Sequence, residues 1–204
     1  MTPIGLEVES DRRTSQVRRT TRESNIVVEL DLDGSKGLIA VDTGIGILDH
    51  LLTSLASHAG FDLRIDADGD LEVDDHHVAE DCAIAFARAI SSALGDRGNI
   101  MRFGWALIPL DEALSRVAVD LVSRPSATID LGLARPMVGG LASENAIHFL
   151  ETLALTAPFT LHVAVLEGRN DHHRLESAFK ALAISLREAV RVSGGTITTK
   201  GTMQ

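Results

Sequence analysis

Asp75-His76-His77-Val78-Ala79-Glu80 and Asp171-His172-His173-Arg174-Leu175-Glu176 are two copies of one pattern, Asp-His-His-x-x-Glu. On a helix, residues four apart share a face, so His76 with Glu80, and His172 with Glu176, can each grip one ion. The adjacent His77 or His173 points about 100° away and must serve a different centre. Imidazole with carboxylate suits zinc, manganese or non-haem iron. A single copy would be a moderate signal, with a solvated helix start as its lesser reading. Two copies, holding four of the eight histidines, favour metal ligands.

The flanks of the two clusters repeat as well. His50 precedes Phe61 by 11 residues, and His148 precedes Phe159 by 11. The clusters then follow after 15 and 13 residues, giving a period of about 97 and an internal duplication. In the first copy, Ile47, Leu48, Leu51, Leu52 and Leu55 keep helical spacing and Phe61 to Ile65 alternates as a strand. The turn Asp68-Gly69-Asp70 then leads to a helix from the cluster to about Leu94, stopped by Gly95 and Gly98. The second copy has a helix around Glu144 to Ala157, a strand at Phe159 to Val165, and a cluster helix through about Val192.

Upstream, Ile26, Val28, Leu30 and Leu32 alternate as a strand, with Asp33-Gly34 as a hairpin turn and Leu38 to Val41 as the return strand. Val117, Val119 and Leu121 alternate in the second half. Residues 1–25, polar and rich in Arg, read by composition as a flexible or surface arm. The chain is expected to form one domain over 1–204, with pseudo-repeats at about 19–98 and 99–192 and a C-terminal tail at 193–204.

Composition narrows the partners. A chain of 204 residues with 45% hydrophobic residues can bury a real core, and its 3% aromatic content makes that core mostly aliphatic. The net charge of −10 argues against nucleic acid or an anionic membrane as partner. The lone Cys82 fits a reducing compartment and, inside an apolar helical pattern, a buried inert thiol. No stretch reaches transmembrane length, so a soluble, cytoplasmic protein is expected.

The duplication sorts the histidines. His50 pairs with His148, His76 with His172, and His77 with His173, while His58 and His162 have no counterpart. His162 matches Arg64 on the polar face of a strand and reads as a surface histidine. His58 suits either a helix C-terminus or a substrate contact. The six paired histidines, with Glu80 and Glu176, divide evenly into two sites. One would hold His76, Glu80, His148 and His173; its twin would hold His172, Glu176, His50 and His77. Four ligands on a six-coordinate ion leave open positions, a catalytic pattern.

The sequence resembles the imidazoleglycerol-phosphate dehydratase family over nearly its whole length. The segments that carry the resemblance are Arg19-Thr20-Thr21-Arg22-Glu23-Ser24, Thr43-Gly44-Ile45-Gly46-Ile47-Leu48-Asp49-His50, both clusters, Arg102-Phe103-Gly104, Pro109-Leu110-Asp111-Glu112-Ala113 and Ser123-Arg124-Pro125. Phe179-Lys180 and the tail Thr198-Thr199-Lys200-Gly201 complete the match, with Thr198 where the family usually has Ser. The resemblance implies an α+β fold, duplicated from a half-domain of one small sheet and two helices, with the helices packed between the two sheets. It implies two manganese ions per subunit, at subunit interfaces of a 24-subunit homo-oligomer. It carries the metal ligands onto His50, His76, His77, Glu80, His148, His172, His173 and Glu176. Substrate contacts fall on Glu23, His58, Arg102, Arg124, Lys180, Thr198 and Lys200.

The implied activity is a hydro-lyase reaction of histidine biosynthesis. A small phosphorylated imidazole substrate, D-erythro-imidazole-glycerol phosphate, loses water next to its ring and becomes imidazole-acetol phosphate. The metals would act as Lewis acids and templates, and the basic residues would suit the phosphate. Glu23 is the candidate acid/base, with a salt bridge to the nearby arginines as its other reading. A binuclear metallohydrolase and a non-enzymatic metal-binding shell protein are the alternatives. The first would favour bridging carboxylates, which the histidine-rich set does not offer, and the second would need no basic phosphate pocket.

Overall fold

A computed structural model describes residues 4–194, apart from 12 and 35. The first half opens with strands β1 (Gly5–Asp11), β2 (Thr14–Thr20) and β3 (Ser24–Asp31). After β4 (Ile39–Asp42) come helix α1 (Gly46–Ala59), strand β5 (Asp62–Gly69) and helix α2 (His76–Leu94). The second half runs β6 (Phe103–Leu110), β7 (Ala113–Asp120), β8 (Ser126–Asp130), the short β9 (Met137–Val138) and β10 (Leu141–Ala142), α3 (Ser143–Thr156), β11 (Thr160–Glu167) and α4 (Asp171–Ala189).

The two main sheets show the duplication. The first has the order β1-β2-β3-β5-β4 and the second β6-β7-β11-β8. Without β1 and the β9–β10 pair, each half reads two antiparallel strands, an edge strand, a helix, a central strand and the cluster helix. In both, the edge strand lies parallel to the central strand, β4 to β5 and β8 to β11. A parallel neighbour needs a crossover, and α1 and α3 supply it.

Two expectations are corrected. Residues 39–42 do not return beside β3 as a hairpin. β5 lies between β3 and β4, because Asp62 at the head of β5 accepts from the Lys36 and Leu38 backbone N–H groups at 2.7 Å and straps the intervening loop across the strand end. Gly34 turns with φ 55° against the end of α1, where a Cβ would stand 2.1 Å from the Gly60 carbonyl oxygen. The N-terminal segment is not merely a surface arm. β2 is an inner strand, with Val17 fully buried, the Ser15 hydroxyl donating to the Ala89 carbonyl, and Arg19 paired with buried Asp81.

The helices lie between the sheets. α2 packs on β2 and β3, and α4 packs on β6 and β7. β6 comes so near α4 that a Cβ at Gly104 would lie 1.8 Å from the Ser185 carbonyl oxygen. Across the middle, α1 packs on α4 and α2 on α3, so each helix pair takes one member from each half. Phe86, Phe149, Phe159 and Phe179 are buried there among Leu and Ala. This crossed pairing makes the clusters draw on both halves.

Candidate metal centres

Each cluster sits at the start of its helix, where free backbone N–H groups need acceptors. Asp74 Oδ1 accepts from the His76 N–H at 2.9 Å, and the N-cap Asn170 side chain accepts from the His172 N–H at 3.0 Å. The aspartate that opens each pattern turns inward. Asp75 accepts from the Ala142 N–H at 2.7 Å, and Asp171 accepts from those of Ala134 and Arg135. Both motifs thus clasp the same loop, the one that feeds α3.

The crossed helices then bring donors together in two groups. One is His76 and Glu80 from α2 with His148 from α3; the other is His172 and Glu176 from α4 with His50 from α1. In each, one ligand atom per residue lies within 4.8 Å of the others. His148 Nε2 is 3.0 Å from Glu80 Oε1, and its ring stacks on His76 with centroids 5.1 Å apart. His172 Nε2 and His50 Nε2 lie 3.2 and 3.3 Å from Glu176 Oε2, with those rings 5.4 Å apart. His76 Nδ1 contacts the Asn145 side-chain oxygen at 3.0 Å, which leaves Nε2 for the group. Two imidazoles and a carboxylate around one point fit a divalent ion such as manganese, zinc or iron.

The structure brings together three members of each expected set of four. His173 and His77 stand apart, each held through Nδ1 by a carboxylate: Glu112 at 2.7 Å and Asp70 at 3.0 Å. Both imidazoles are shifted upward, first by these hydrogen bonds. Glu112 is held down at about 2 by His173 and by the Asn170 and Arg169 N–H groups. Burial alone would push Glu176 up, but Lys180 and His50 outweigh it and hold the carboxyl at about 2. Sequence reasoning gives no role to Asp70, Asp75, Glu112, Asn145 or Asp171, although Asp75 and Asp171 open the two motif copies, Asp70 ends a turn and Glu112 lies in a segment that carries the family resemblance.

The other expected contacts scatter. Lys180 Nζ is 2.7 Å from Glu176 Oε1, beside the second group. Glu23 is exposed in the β2–β3 turn, near enough to His77 to favour its charged form. Arg102 is clamped on Asp120 at 2.7 and 3.0 Å and lies over the Phe103 ring. Arg124 is exposed beyond the end of β7, and His58 is exposed in the last turn of α1. Arg102 and Arg124 therefore flank one end of the β6–β7 hairpin and Glu112 the other, roughly 25 Å apart at eight residues per strand. Thr198 and Lys200 lie outside the described residues. His162 is exposed on β11, opposite Ala118 and Thr128.

Fold and site together define a duplicated α+β chain with two equivalent groups of metal-ligand geometry. The model of the family described as imidazoleglycerol-phosphate dehydratase matches residues 43–186. A protein of that name from Phytophthora nicotianae is 53% identical over 193 residues, which cover 94% of this chain and 42% of that longer one. Another from Chlorobium chlorochromatii is 47% identical over 190 residues, covering 93% and 96%. Among solved structures, the Pyrococcus furiosus enzyme is 38% identical with a TM-score of 0.80, covering 91% of this chain and 99% of that one. The Staphylococcus aureus enzyme is 32% identical with a TM-score of 0.79, covering 87% and 98%. The chain belongs to the imidazoleglycerol-phosphate dehydratase family, a family of hydro-lyases.

Proposed function

We propose that this chain dehydrates D-erythro-imidazole-glycerol phosphate to imidazole-acetol phosphate, working in the cytoplasm with two manganese ions per subunit. The observation that carries the reading is the matched pair of three-donor groups, together with His77 and His173 standing apart yet already oriented through Nδ1. Each group is one histidine short of the expected four. A second copy of the chain supplies it, so the sites lie at subunit interfaces of a homo-oligomer, taken as a 24-mer. The whole chain over 1–204 acts as one domain in that assembly, its repeats meeting near residue 98 and its tail beginning at 193.

His50, His76, His77, Glu80, His148, His172, His173 and Glu176 would hold the ions. When bound, the ions supply Lewis acidity and a template for the two nitrogens of a substrate imidazole. Glu23, exposed and near enough to His77 to favour its charged form, would take the proton from the carbon next to the one that loses its hydroxyl. Lys180 lies beside the second group, where its ammonium suits a phosphate oxygen. Arg102 and Arg124 lie at the end of the β6–β7 hairpin away from Glu112, and His58 lies in the last turn of α1, whose N-terminal half holds His50. They would reach a site built from neighbouring copies, and Thr198 and Lys200 would complete the phosphate contacts. The test is to load the protein anaerobically with manganese and assay ketone formation from imidazoleglycerol phosphate. A folded, metal-loaded preparation that releases no ketone would overturn the reading.

A further inference from the structure

The two hairpin turns of the duplicated halves carry glutamate at the same place. In the first, the Thr21 N–H donates to the Ser24 carbonyl across Arg22-Glu23; in the second, Leu110 pairs with Ala113 across Asp111-Glu112. The strand registers agree, since Val28 faces Ile65 in one sheet and Val117 faces Val163 in the other. Glu23 and Glu112 are therefore repeat counterparts, yet their surroundings differ. Glu112 is fully engaged. One oxygen accepts from the Arg169 and Asn170 N–H groups at 3.1 and 2.8 Å, and the other takes His173 Nδ1 at 2.7 Å. The Glu23 carboxylate makes no hydrogen bond among the described residues, because Asp70 takes the corresponding ring nitrogen of His77 at 3.0 Å. In the second half, Gly168-Arg169 stands where Asp70 would fall, and Glu112 supplies the carboxylate to Nδ1 of His173.

We infer that Glu112 is the positioning residue of His173, fixing its ring and placing its proton on Nδ1 so that Nε2 is presented as a ligand. A carboxylate only accepts, so the neutral ring bonded to it must carry its hydrogen on Nδ1. Asp111 Oδ2 lies 3.6 Å from Nε2, too far to hold that nitrogen in a hydrogen bond. Through Asn170, whose side chain caps the His172 N–H, the same glutamate also ties the β6–β7 turn to the start of α4. Asp70 does this work for His77, and that substitution releases Glu23 from it. The duplication has thus divided one turn position into an orienting carboxylate and an unengaged one.

The inference rests on the metal-binding reading only for the destination of Nε2, and the experiment separates the two. Imidazole nitrogen shifts are recorded on the metal-free protein in mild alkali, and manganese affinity is measured on the full protein by loss of the free-ion paramagnetic signal. In Glu112→Gln the amide cannot serve both sides as acceptor. His173 should leave the Nδ1–H form, and one of the two ions should weaken by about 10–100-fold while the other is unchanged. Asp70→Asn should weaken the other ion, and Glu112→Asp should recover part of the loss. Should Glu112→Gln fail to fold, Glu112→Ala carries the same measurement, since it leaves neither the loop N–H groups nor the ring an acceptor. An unchanged His173 tautomer, or equal weakening of both ions, overturns the inference. A wild-type protein that binds no manganese but shows the Glu112-dependent tautomer overturns the metal reading and leaves the positioning role standing.

Discussion

Lys180 Nζ lies 2.7 Å from Glu176 Oε1, one turn further along α4, while the other oxygen of Glu176 faces His50 and His172. One carboxylate is thus shared between an ammonium and a pair of imidazoles. Burial would raise its pKa, and Lys180 followed by His50 brings it from 4.5 down to about 2. A depressed carboxyl stabilises the folded state above its unfolded pKa, and that contribution is lost as pH falls through the folded value. Lys180→Met should therefore destabilise the metal-free protein by about 1 kcal/mol at neutral pH. The difference from wild type should close between pH 4.5 and about 2. Denaturant unfolding across that range checks it, and a difference that persists at the acid end would show that the pair contributes through packing instead.

Glu80 and Glu176 sit in different groups, each with its own two histidines. Glu80→Gln or Glu176→Gln should weaken one ion before the other, because amide oxygen is a poorer ligand than carboxylate. Metal analysis after limited dialysis should then show close to one ion per chain. Simultaneous loss of both would mean that the sites bind cooperatively or that the donors are partitioned differently.

The ligand pattern was legible in the sequence because it is local: His76 with Glu80, and His172 with Glu176, are one helical turn apart. The duplication was legible because the spacing from His50 to Phe61 recurs from His148 to Phe159. Three kinds of feature escaped. β2 has no apolar alternation, since its inward face uses Ser15 and Arg19 with polar partners beside Val17. β6 inverts the usual pattern: Gly104 and Ala106 turn inward under α4, leaving Phe103, Trp105 and Leu107 exposed. The carboxylates that orient His77 and His173 come from turns set by strand register, so no sequence spacing marks Asp70 or Glu112 as their partners.

Metal binding should fall as the solution is acidified. A protonated histidine must give up one of its two ring protons to bind an ion, and its ordinary pKa is 6.5. Asp70 and Glu112 raise His77 and His173 above that value, so competition should begin at a higher pH than for unperturbed rings. The metal-free fold should respond in the opposite sense. A raised histidine stabilises it below the unfolded pKa, and this is lost as pH rises through the folded value. Manganese occupancy followed from mild alkali into acid should therefore drop while the metal-free protein gains from protonation at these two rings. Occupancy unchanged well below 6.5 would argue against histidine-rich sites.

Metal and assembly should be linked. Within one chain, each donor group stops at three residues, while His77 and His173 are held apart from both groups. If another copy supplies the missing histidine, the ions belong to the interface and their binding energy stabilises the assembled form by mass action. The separate units should still fold without metal, because the core of Phe86, Phe149, Phe159 and Phe179 among leucines and alanines contains none of the ligands. Stripping manganese should therefore release smaller folded units, expected as trimers, and restoring it should rebuild the shell and the activity together. Light scattering with a chelator and then with added manganese reads the mass directly, and circular dichroism confirms that the released units stay folded. A mass unchanged after verified metal removal would show that assembly is independent of the ions. A monomer with both ions bound at full affinity would refute sites shared between subunits.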